Sequence, residues 1–134
     1  MSLYDASALW VMLRDNDPAV RKHFMADRAP LMMGHTPAEF LHVLRHRSLS
    51  AGRPIDDKET NRLHETFLAL DLTALPLDLD LQRRAFALRH NLTGYDAFYV
   101  AAADREGLAL VARDKGHRAM AQRLGIAYVP VTAR

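Results

Sequence analysis

Four acidic residues stand where a protein could use them for chemistry. Asp5 comes directly after the first short apolar segment, and Asp114 comes after the apolar segment 108–112. Glu39 and Asp96 lie about one turn inside predicted helices. The chain has no cysteine, so a metal site would have to use oxygen or imidazole ligands. A group of carboxylates favours Mg²⁺ or Mn²⁺, and metal-assisted hydrolysis of a phosphodiester is the natural chemistry of such a site.

The elements that must position these acids alternate along the chain. Strands are predicted from apolar runs at residues 3–4, 30–33, 72–75, 108–112 and 127–131. Helices are predicted at residues 6–13, 18–27, 36–47, 56–70, 78–90, 93–106 and 115–124. This alternation predicts a three-layer α/β/α sandwich with a parallel, Rossmann-like sheet, since right-handed crossovers place helices on both faces. Ligands bind at the carboxyl edge of such a sheet, and the four acids are expected to converge there.

Helix capping is the simpler explanation for each acid taken alone. An acid at a helix N-terminus accepts hydrogen bonds from free N–H groups and meets a favourable dipole. Thr36 and Glu39 have the spacing of a capping box, and Thr93 is predicted to cap the helix that contains Asp96. Capping explains Asp96 least well, because residues 97–103 are almost all apolar and a buried carboxylate needs a cation or several donors.

Length and composition are those of an ordinary globular protein. The 134 residues, 49% hydrophobic and 25% charged, are expected to form a single domain over residues 1–134. The N-terminal residues lack the basic and long apolar regions of a signal peptide, and no apolar stretch is long enough to span a membrane. A cytoplasmic protein with no membrane partner is therefore expected.

Four short segments, in order and with fitting spacing, resemble those of PIN domains, and specifically of VapC-type toxins from bacterial and archaeal toxin–antitoxin pairs. They are residues 4–9 (YDASAL), 39–44 (EFLHVL), 94–101 (GYDAFYVA) and 110–114 (LVARD), the last followed by 125–126 (GI). The third segment is the most specific of them. The resemblance covers nearly the whole chain.

This resemblance implies a metal-dependent endoribonuclease that cleaves single-stranded RNA and acts as the toxin of a type II toxin–antitoxin pair. The residues that it implies as catalytic, holding one or two Mg²⁺ or Mn²⁺ ions, are Asp5, Glu39, Asp96 and Asp114. It also implies a homodimer and a cognate antitoxin whose C-terminal segment occupies the active-site groove.

Basic residues close to Asp114 are candidates for contact with the RNA backbone. Positive charges outnumber negative ones over residues 105–134. The candidates are Arg113, Lys115 and Arg118. They could offset the negative field that the acidic cluster presents to phosphates. A solvated basic helix is the alternative.

Two other groups of residues have a possible role at the site. Ser7 lies two residues after Asp5 and is either a small residue at a helix start or a secondary ligand to a metal-bound water. His42 and His46 follow Glu39 on one helix face and could in principle join a zinc site. A partly solvated histidine face is the alternative.

Two positions depart from the family pattern. Ala112 stands where relatives often have Thr or Ser, and His42 stands where they often have Asn. Loss of a supporting hydroxyl can cost about 10- to 100-fold in affinity or activity, so Ala112→Thr is expected to raise one or the other. One rival is therefore a PIN-fold RNA-binding protein with weak or no cleavage. Another is a receiver-like signalling domain, but Lys22, Lys58 and Lys115 do not follow a strand as its functional lysine would.

The expected crowding of carboxylates also predicts how the Asp96→Asn substitution changes the stability of the metal-free protein. Two like charges about 5 Å apart repel by roughly 3 kcal/mol before protonation and water reduce the effect, at an effective dielectric near ~20. The amide is thus expected to abolish cleavage while stabilising the metal-free protein by about 1 kcal/mol.

Overall fold

The computed structural model describes residues 1–113 and 115–131. The strands in these residues are β1 (Ser2–Tyr4), β2 (Leu31–Met33), β3 (Thr73–Leu75), β4 (Ala109–Ala112) and β5 (Tyr128–Pro130). The helices are α1 (Ala6–Arg14), α2 (Pro18–Ala26), α3 (Thr36–Ser48), α4 (Asp57–Ala69), α5 (Leu79–Ala87), α6 (Gly94–Glu106) and α7 (Lys115–Leu124). Every predicted strand and helix is present, in the predicted order.

The strands form one parallel sheet in the order β3-β2-β1-β4-β5. The central strand β1 pairs with β4 in the register Leu3↔Leu110 and with β2 in the register Leu3↔Leu31. Since all strands run the same way, their carboxyl ends meet at one edge, where Asp5 follows β1. The predicted α/β/α sandwich is confirmed.

Both faces of the sheet are covered, because successive side chains of a strand point to opposite faces. Leu3 and Leu110 belong to one buried cluster, which includes residues of α5, α6 and α7. Their neighbours Tyr4 and Val111 belong to a second buried cluster, with residues of α1, α3 and α4. All four side chains have no exposed surface, and burial of each contributes about 1.5–3 kcal/mol. Packing on both faces thus fixes β1, and with it Asp5.

The start of α3 differs from the predicted capping box, whereas Thr93 is the N-cap of α6 as predicted but makes no side-chain cap bond. The N-cap of α3 is His35, and Thr36 is its first residue. The Thr36 hydroxyl accepts a hydrogen bond from the Met33 N–H at 3.0 Å, so the predicted capping box is wrong. Thr93 is the N-cap of α6, but its hydroxyl donates to Asp96 Oδ2 at 3.0 Å and makes no cap bond. The Thr36 hydroxyl therefore binds the backbone of β2, and the Thr93 hydroxyl binds the side chain of Asp96.

Helix α5 is shorter than predicted and ends at Ala87 instead of His90. The Leu92 N–H bonds back to the Leu88 carbonyl in a turn, and Leu92 itself is buried in the core. This turn leads the chain into α6. Among the described residues, no helix combines the length and apolar character that a membrane crossing requires.

Candidate functional site

An open pocket of about 890 Å³ lies at the carboxyl edge of the sheet. Its lining combines acidic, basic, aromatic and small side chains: Asp5, Ala6, Ser7, His35, Ala38, Glu39, His42, Val43, Tyr95, Asp96, Tyr99 and Arg113. Of the four acids predicted to converge, Asp5, Glu39 and Asp96 line this pocket, and Asp114 lies outside the described residues.

Asp5 joins the central strand to helix α1. Its N–H donates to the Val111 carbonyl of β4 at 3.2 Å. One carboxylate oxygen, Oδ1, accepts from the Ser7 hydroxyl at 2.7 Å and from the Ala8 N–H at 2.8 Å. Asp5 is therefore a helix cap, as the simpler explanation proposed, but only through Oδ1. Its Oδ2 is turned toward another partner.

That partner is His117, in the first turn of α7. The ring is 1% exposed. Its Nδ1 lies 3.4 Å from Asp5 Oδ2, and its Nε2 lies 3.1 Å from Asp96 Oδ1. Burial opposes protonation, but the two carboxylates outweigh it and raise the pKa of His117 to about 9. At neutral pH the ring is thus a buried cation that bridges two of the candidate metal ligands.

Asp96 is accordingly satisfied at both oxygens, one by His117 and the other by Thr93. Its pKa lies below the usual value, because the close contact with the His117 ring outweighs the effect of burial. The side chain is 31% exposed. Asp96 is therefore an ionised carboxylate that remains open to the pocket.

Glu39 is held by a different kind of contact. Tyr99 OH donates to Glu39 Oε1 at 2.6 Å and also lies 2.6 Å from Thr36 Oγ1. Burial, together with the charges of Asp5 and Asp96, raises the pKa of Glu39, and the Tyr99 hydrogen bond only partly opposes this. The three carboxylates are therefore close enough to repel one another.

A buried imidazole supports the aromatic side of the pocket. His35 Nε2 donates to the Tyr95 carbonyl at 3.1 Å and lies 3.4 Å from Glu39 Oε1. The ring contacts Tyr95, Phe98 and Tyr99 at centroid distances of 5.9, 5.6 and 5.0 Å. Burial lowers the pKa of His35, so this ring is neutral, unlike that of His117.

The remaining predicted residues divide into three groups. Ser7 and the exposed Arg113 line the pocket, whereas Arg118 is exposed but is not among its lining residues. Asp114 and the side chain of Lys115 lie outside the described residues.

The two positions that depart from the family pattern also differ from each other. His42 is exposed and lines the pocket, but His46 of the zinc alternative does not. Ala112 has no exposed surface and packs in the core. A threonine at position 112 would therefore place its side chain among core residues.

Sequence reasoning missed His117 and Tyr99. His117 lies among basic residues that suggested a solvated face, yet Met120 and Ala121 follow it at the i+3 and i+4 positions and are buried. This helical spacing was the available signal, since it places the histidine on the inward face of α7. Tyr99 follows Asp96 by three positions, where a helix brings side chains onto the same face.

The donor set suits a hard divalent cation. Among the described residues, no group of three or more acidic or histidine side chains is already arranged as a metal site. Carboxylate oxygens of Asp5, Glu39 and Asp96 nevertheless line one pocket, and oxygen ligands are those that Mg²⁺ and Mn²⁺ prefer. The His117 ring lies between two of these carboxylates, so one counter-charge is already present beside them.

Comparison with known proteins gives one family. The sequence profile of the PIN domain matches residues 3–123. A comparison with curated protein sequences gives no significant match.

Several solved structures have a similar fold. FitAcB from Neisseria gonorrhoeae has a TM-score of 0.70 and 19% identity, with 96% of each chain covered. VapC20 from Mycobacterium tuberculosis, described as a sarcin–ricin loop cleaving toxin, has a TM-score of 0.65 and 16% identity, with 89% of this chain and 94% of that chain covered. A toxin–antitoxin complex from Klebsiella pneumoniae has a TM-score of 0.61 and 20% identity, with coverage of 85% and 87%. At these identities the likeness shows the fold, and the profile match shows the family: the chain belongs to the PIN domain family.

Proposed function

We propose that this chain is a metal-dependent endoribonuclease that cleaves single-stranded RNA and acts as the toxin of a toxin–antitoxin pair. The observation that carries the proposal is the convergence of Asp5, Glu39 and Asp96 on one open pocket. Structural neighbours described as a toxin that cleaves the sarcin–ricin loop and as part of a toxin–antitoxin complex support the same reading.

In this proposal, Asp5, Glu39 and Asp96 hold Mg²⁺ or Mn²⁺, and Asp114 adds a fourth carboxylate from the segment after β4. The bound ion supplies Lewis acidity and lowers the pKa of a coordinated water. Ser7 acts through Asp5, because its hydroxyl donates a hydrogen bond to Asp5 Oδ1. Ser7 is thus proposed as a positioning residue that can also contact water.

The other side chains of the pocket bind and orient the substrate and the acids. Tyr99 fixes Glu39 through its hydroxyl. Arg113 is exposed beside the carboxylates, where its guanidinium can bind a phosphate oxygen in bidentate fashion. Lys115 and Arg118 are proposed to extend this contact along the RNA backbone. These cations offset the repulsion between phosphates and carboxylates.

The family also supports a proposal about partners. We expect a cytoplasmic protein that forms a homodimer and is inhibited by a cognate antitoxin, whose C-terminal segment would cover the pocket. Structural neighbours solved as toxin–antitoxin complexes support the antitoxin partner.

The direct test is cleavage of an end-labelled single-stranded RNA with Mg²⁺, with Mn²⁺ and with EDTA. Cleavage should require a divalent metal. The Asp5→Asn variant, purified in parallel, should not cleave, which controls for contaminating ribonuclease. Undiminished cleavage in EDTA, or by this variant, would reject the proposal.

A second candidate function is RNA binding without cleavage. The observation that favours it is His117, whose cationic ring already lies between Asp5 and Asp96. If this ion pair excludes the metal, calorimetric titration with Mn²⁺ should detect no binding while RNA still binds. Measurable Mn²⁺ binding together with cleavage would eliminate this candidate.

A further inference from the structure

Tyr95, beside the acidic pocket, has a feature that the metal chemistry does not use. Its side chain is 66% exposed although it lies directly before Asp96 in the first turn of α6 and lines the same pocket. Exposure of a large aromatic ring costs hydrophobic stabilisation, so a ring kept open at this position suggests a ligand that covers it.

The backbone and ring of Tyr95 are supported from inside the protein. His35, which is buried, donates from Nε2 to the Tyr95 carbonyl and lies 5.9 Å from its ring at an interplanar angle of 31°. The Tyr95 ring is therefore supported on its protein side by His35 and is exposed elsewhere.

Phe86 of α5 shows that exposure alone does not make such a surface. Its ring is 65% exposed, but the Arg89 guanidinium lies over it at 4.2 Å, and it does not line the pocket. Tyr95 instead adjoins the candidate metal ligands.

We propose that Tyr95 is a stacking platform for one nucleobase of a single-stranded RNA whose backbone crosses the acidic pocket. This inference rests on the proposed function. The pocket carboxylates repel phosphates, so attraction to the uncharged face of a base can hold the strand where charge alone would oppose it. Bases in a duplex are already stacked, whereas those of a single strand can turn onto an aromatic ring.

Because Tyr95 is adjacent to Asp96, a base stacked on its ring would lie close to the candidate metal ligands. A base on Tyr95 holds the adjoining phosphodiester near the carboxylates, and Arg113 lies in the same lining to bind a phosphate oxygen. Because every base has a π face, this contact tolerates many sequences. It contributes to binding the strand more than to the choice of a particular base.

The test is the affinity for RNA, measured by fluorescence anisotropy with Mg²⁺ in an Asp5→Asn parent that should not cleave. The probes are a labelled single-stranded RNA of mixed sequence and a ribose–phosphate oligomer of equal length without bases. Tyr95→Ala should weaken RNA binding by about 5- to 100-fold and leave binding of the base-free oligomer unchanged.

Two matched variants control for the change. Tyr95→Phe keeps the ring and should bind as the parent does. Phe86→Ala removes an equally exposed ring away from the pocket and should also have no effect. A Tyr95→Ala variant that binds RNA like the parent, or that loses equal affinity for both probes, would overturn the inference.

The outcomes separate this inference from the proposed function. Cleavage by the unsubstituted chain tests the proposed function alone. If the chain cleaves but Tyr95→Ala binds RNA normally, only the stacking inference fails. If the chain does not cleave but Tyr95→Ala loses affinity for RNA alone, the stacking stands and the nuclease proposal falls. A parent that does not bind RNA overturns the inference outright.

Discussion

The two sides of the acidic pocket stabilise their carboxylates in different ways. On one side, the His117 imidazolium pairs with Asp5 and Asp96 at 3.4 and 3.1 Å. On the other side, Glu39 has the neutral Tyr99 hydroxyl at 2.6 Å. The pKa of Asp96 accordingly lies below its usual value, and that of Glu39 lies above.

The difference shows where a divalent metal would gain most. Asp5 and Asp96 already have a counter-charge, so a metal must replace or share it. Among the described residues, Glu39 has a hydrogen bond from Tyr99 but no paired cation, and the charges of Asp5 and Asp96 raise its pKa. A metal would therefore relieve repulsion chiefly on the Glu39 side and compete with the imidazolium on the other.

The largest expected effect is that of Asp96→Asn. Loss of an anionic ligand should lower cleavage by roughly 100-fold or more. In EDTA the variant should also be destabilised, by about 1–2 kcal/mol, because the His117 cation loses one of its carboxylates. RNA cleavage and thermal melts measure the two effects.

Asp104→Asn, which changes an exposed acid of the same helix, is the control and should alter neither quantity. An Asp96→Asn variant that cleaves at the normal rate would contradict the site assignment. An Asp96→Asn variant that melts at a higher temperature than the unsubstituted chain would show that repulsion between the carboxylates outweighs the contact with His117.

The second prediction concerns a variant that removes the charge of His117, which is present on the Asp5–Asp96 side of the pocket and distinguishes it from the Glu39 side. His117→Gln should destabilise the metal-free protein by about 2 kcal/mol, since two partly buried carboxylates lose their counter-ion. Mn²⁺ should then raise the melting temperature of the variant more than that of the unsubstituted chain. Scanning fluorimetry with and without Mn²⁺ measures this. His46→Gln, an exposed histidine of α3, serves as the control, and equal metal-induced shifts in all three proteins would refute the idea.

The third prediction concerns pH. The pKa of His117 in the folded protein is about 9, above the value of 6.5 for a free histidine side chain, because Asp5 and Asp96 outweigh the effect of burial. The folded state therefore binds the proton more tightly, and the resulting stabilisation is complete below about pH 6.5 and disappears as pH rises through about 9. In EDTA, the free energy of unfolding should fall by about 1–3 kcal/mol across this window. The His117→Gln variant should lose much less over the same range, and parallel curves for the two proteins would contradict the prediction.

The smallest expected effect is that of a substitution on the Glu39 side of the pocket, where the Tyr99 hydroxyl binds the carboxylate. Tyr99→Phe keeps the buried ring but removes the hydrogen bond to Glu39, which should cost about 1 kcal/mol of stability. Cleavage should fall by roughly 10-fold, as for other losses of support behind a ligand. Phe86→Ala, which removes an exposed ring outside the pocket, is the control for both measurements. If both variants behaved like the parent, Tyr99 would have no positioning role.

The fold was predictable because each local signal agreed with the next. Apolar runs marked the strands, and Gly107 and Gly125, which adopt positive φ after α6 and α7, marked helix ends. The prediction of Asp5 at the sheet edge followed from parallel topology alone. The errors lie at the ends of strands and helices, as at His90, and in one cap, at Thr36, whose hydroxyl accepts a hydrogen bond from Met33 instead.

The charge balance of the site was not predictable in the same way. The sequence places several acids close together, and their expected repulsion predicts that Asp96→Asn stabilises the metal-free protein. The structure predicts the opposite effect on stability, because His117 belongs to a helix that begins after β4 and contributes a counter-charge to Asp96. Only the three-dimensional packing of α7 against α6 brings these two residues together.

The register of the central strands has a consequence for how the protein is made. β1 has three residues, and it pairs with β4 through Leu3↔Leu110, so the middle of the sheet joins segments synthesised far apart in time. A chain still growing on the ribosome carries Asp5 and Glu39 long before Leu110 has emerged to complete the sheet. In the proposed nuclease, the pocket is therefore incomplete until β4 has paired with β1, so a cutting activity cannot arise before the segment around Leu110 has left the ribosome.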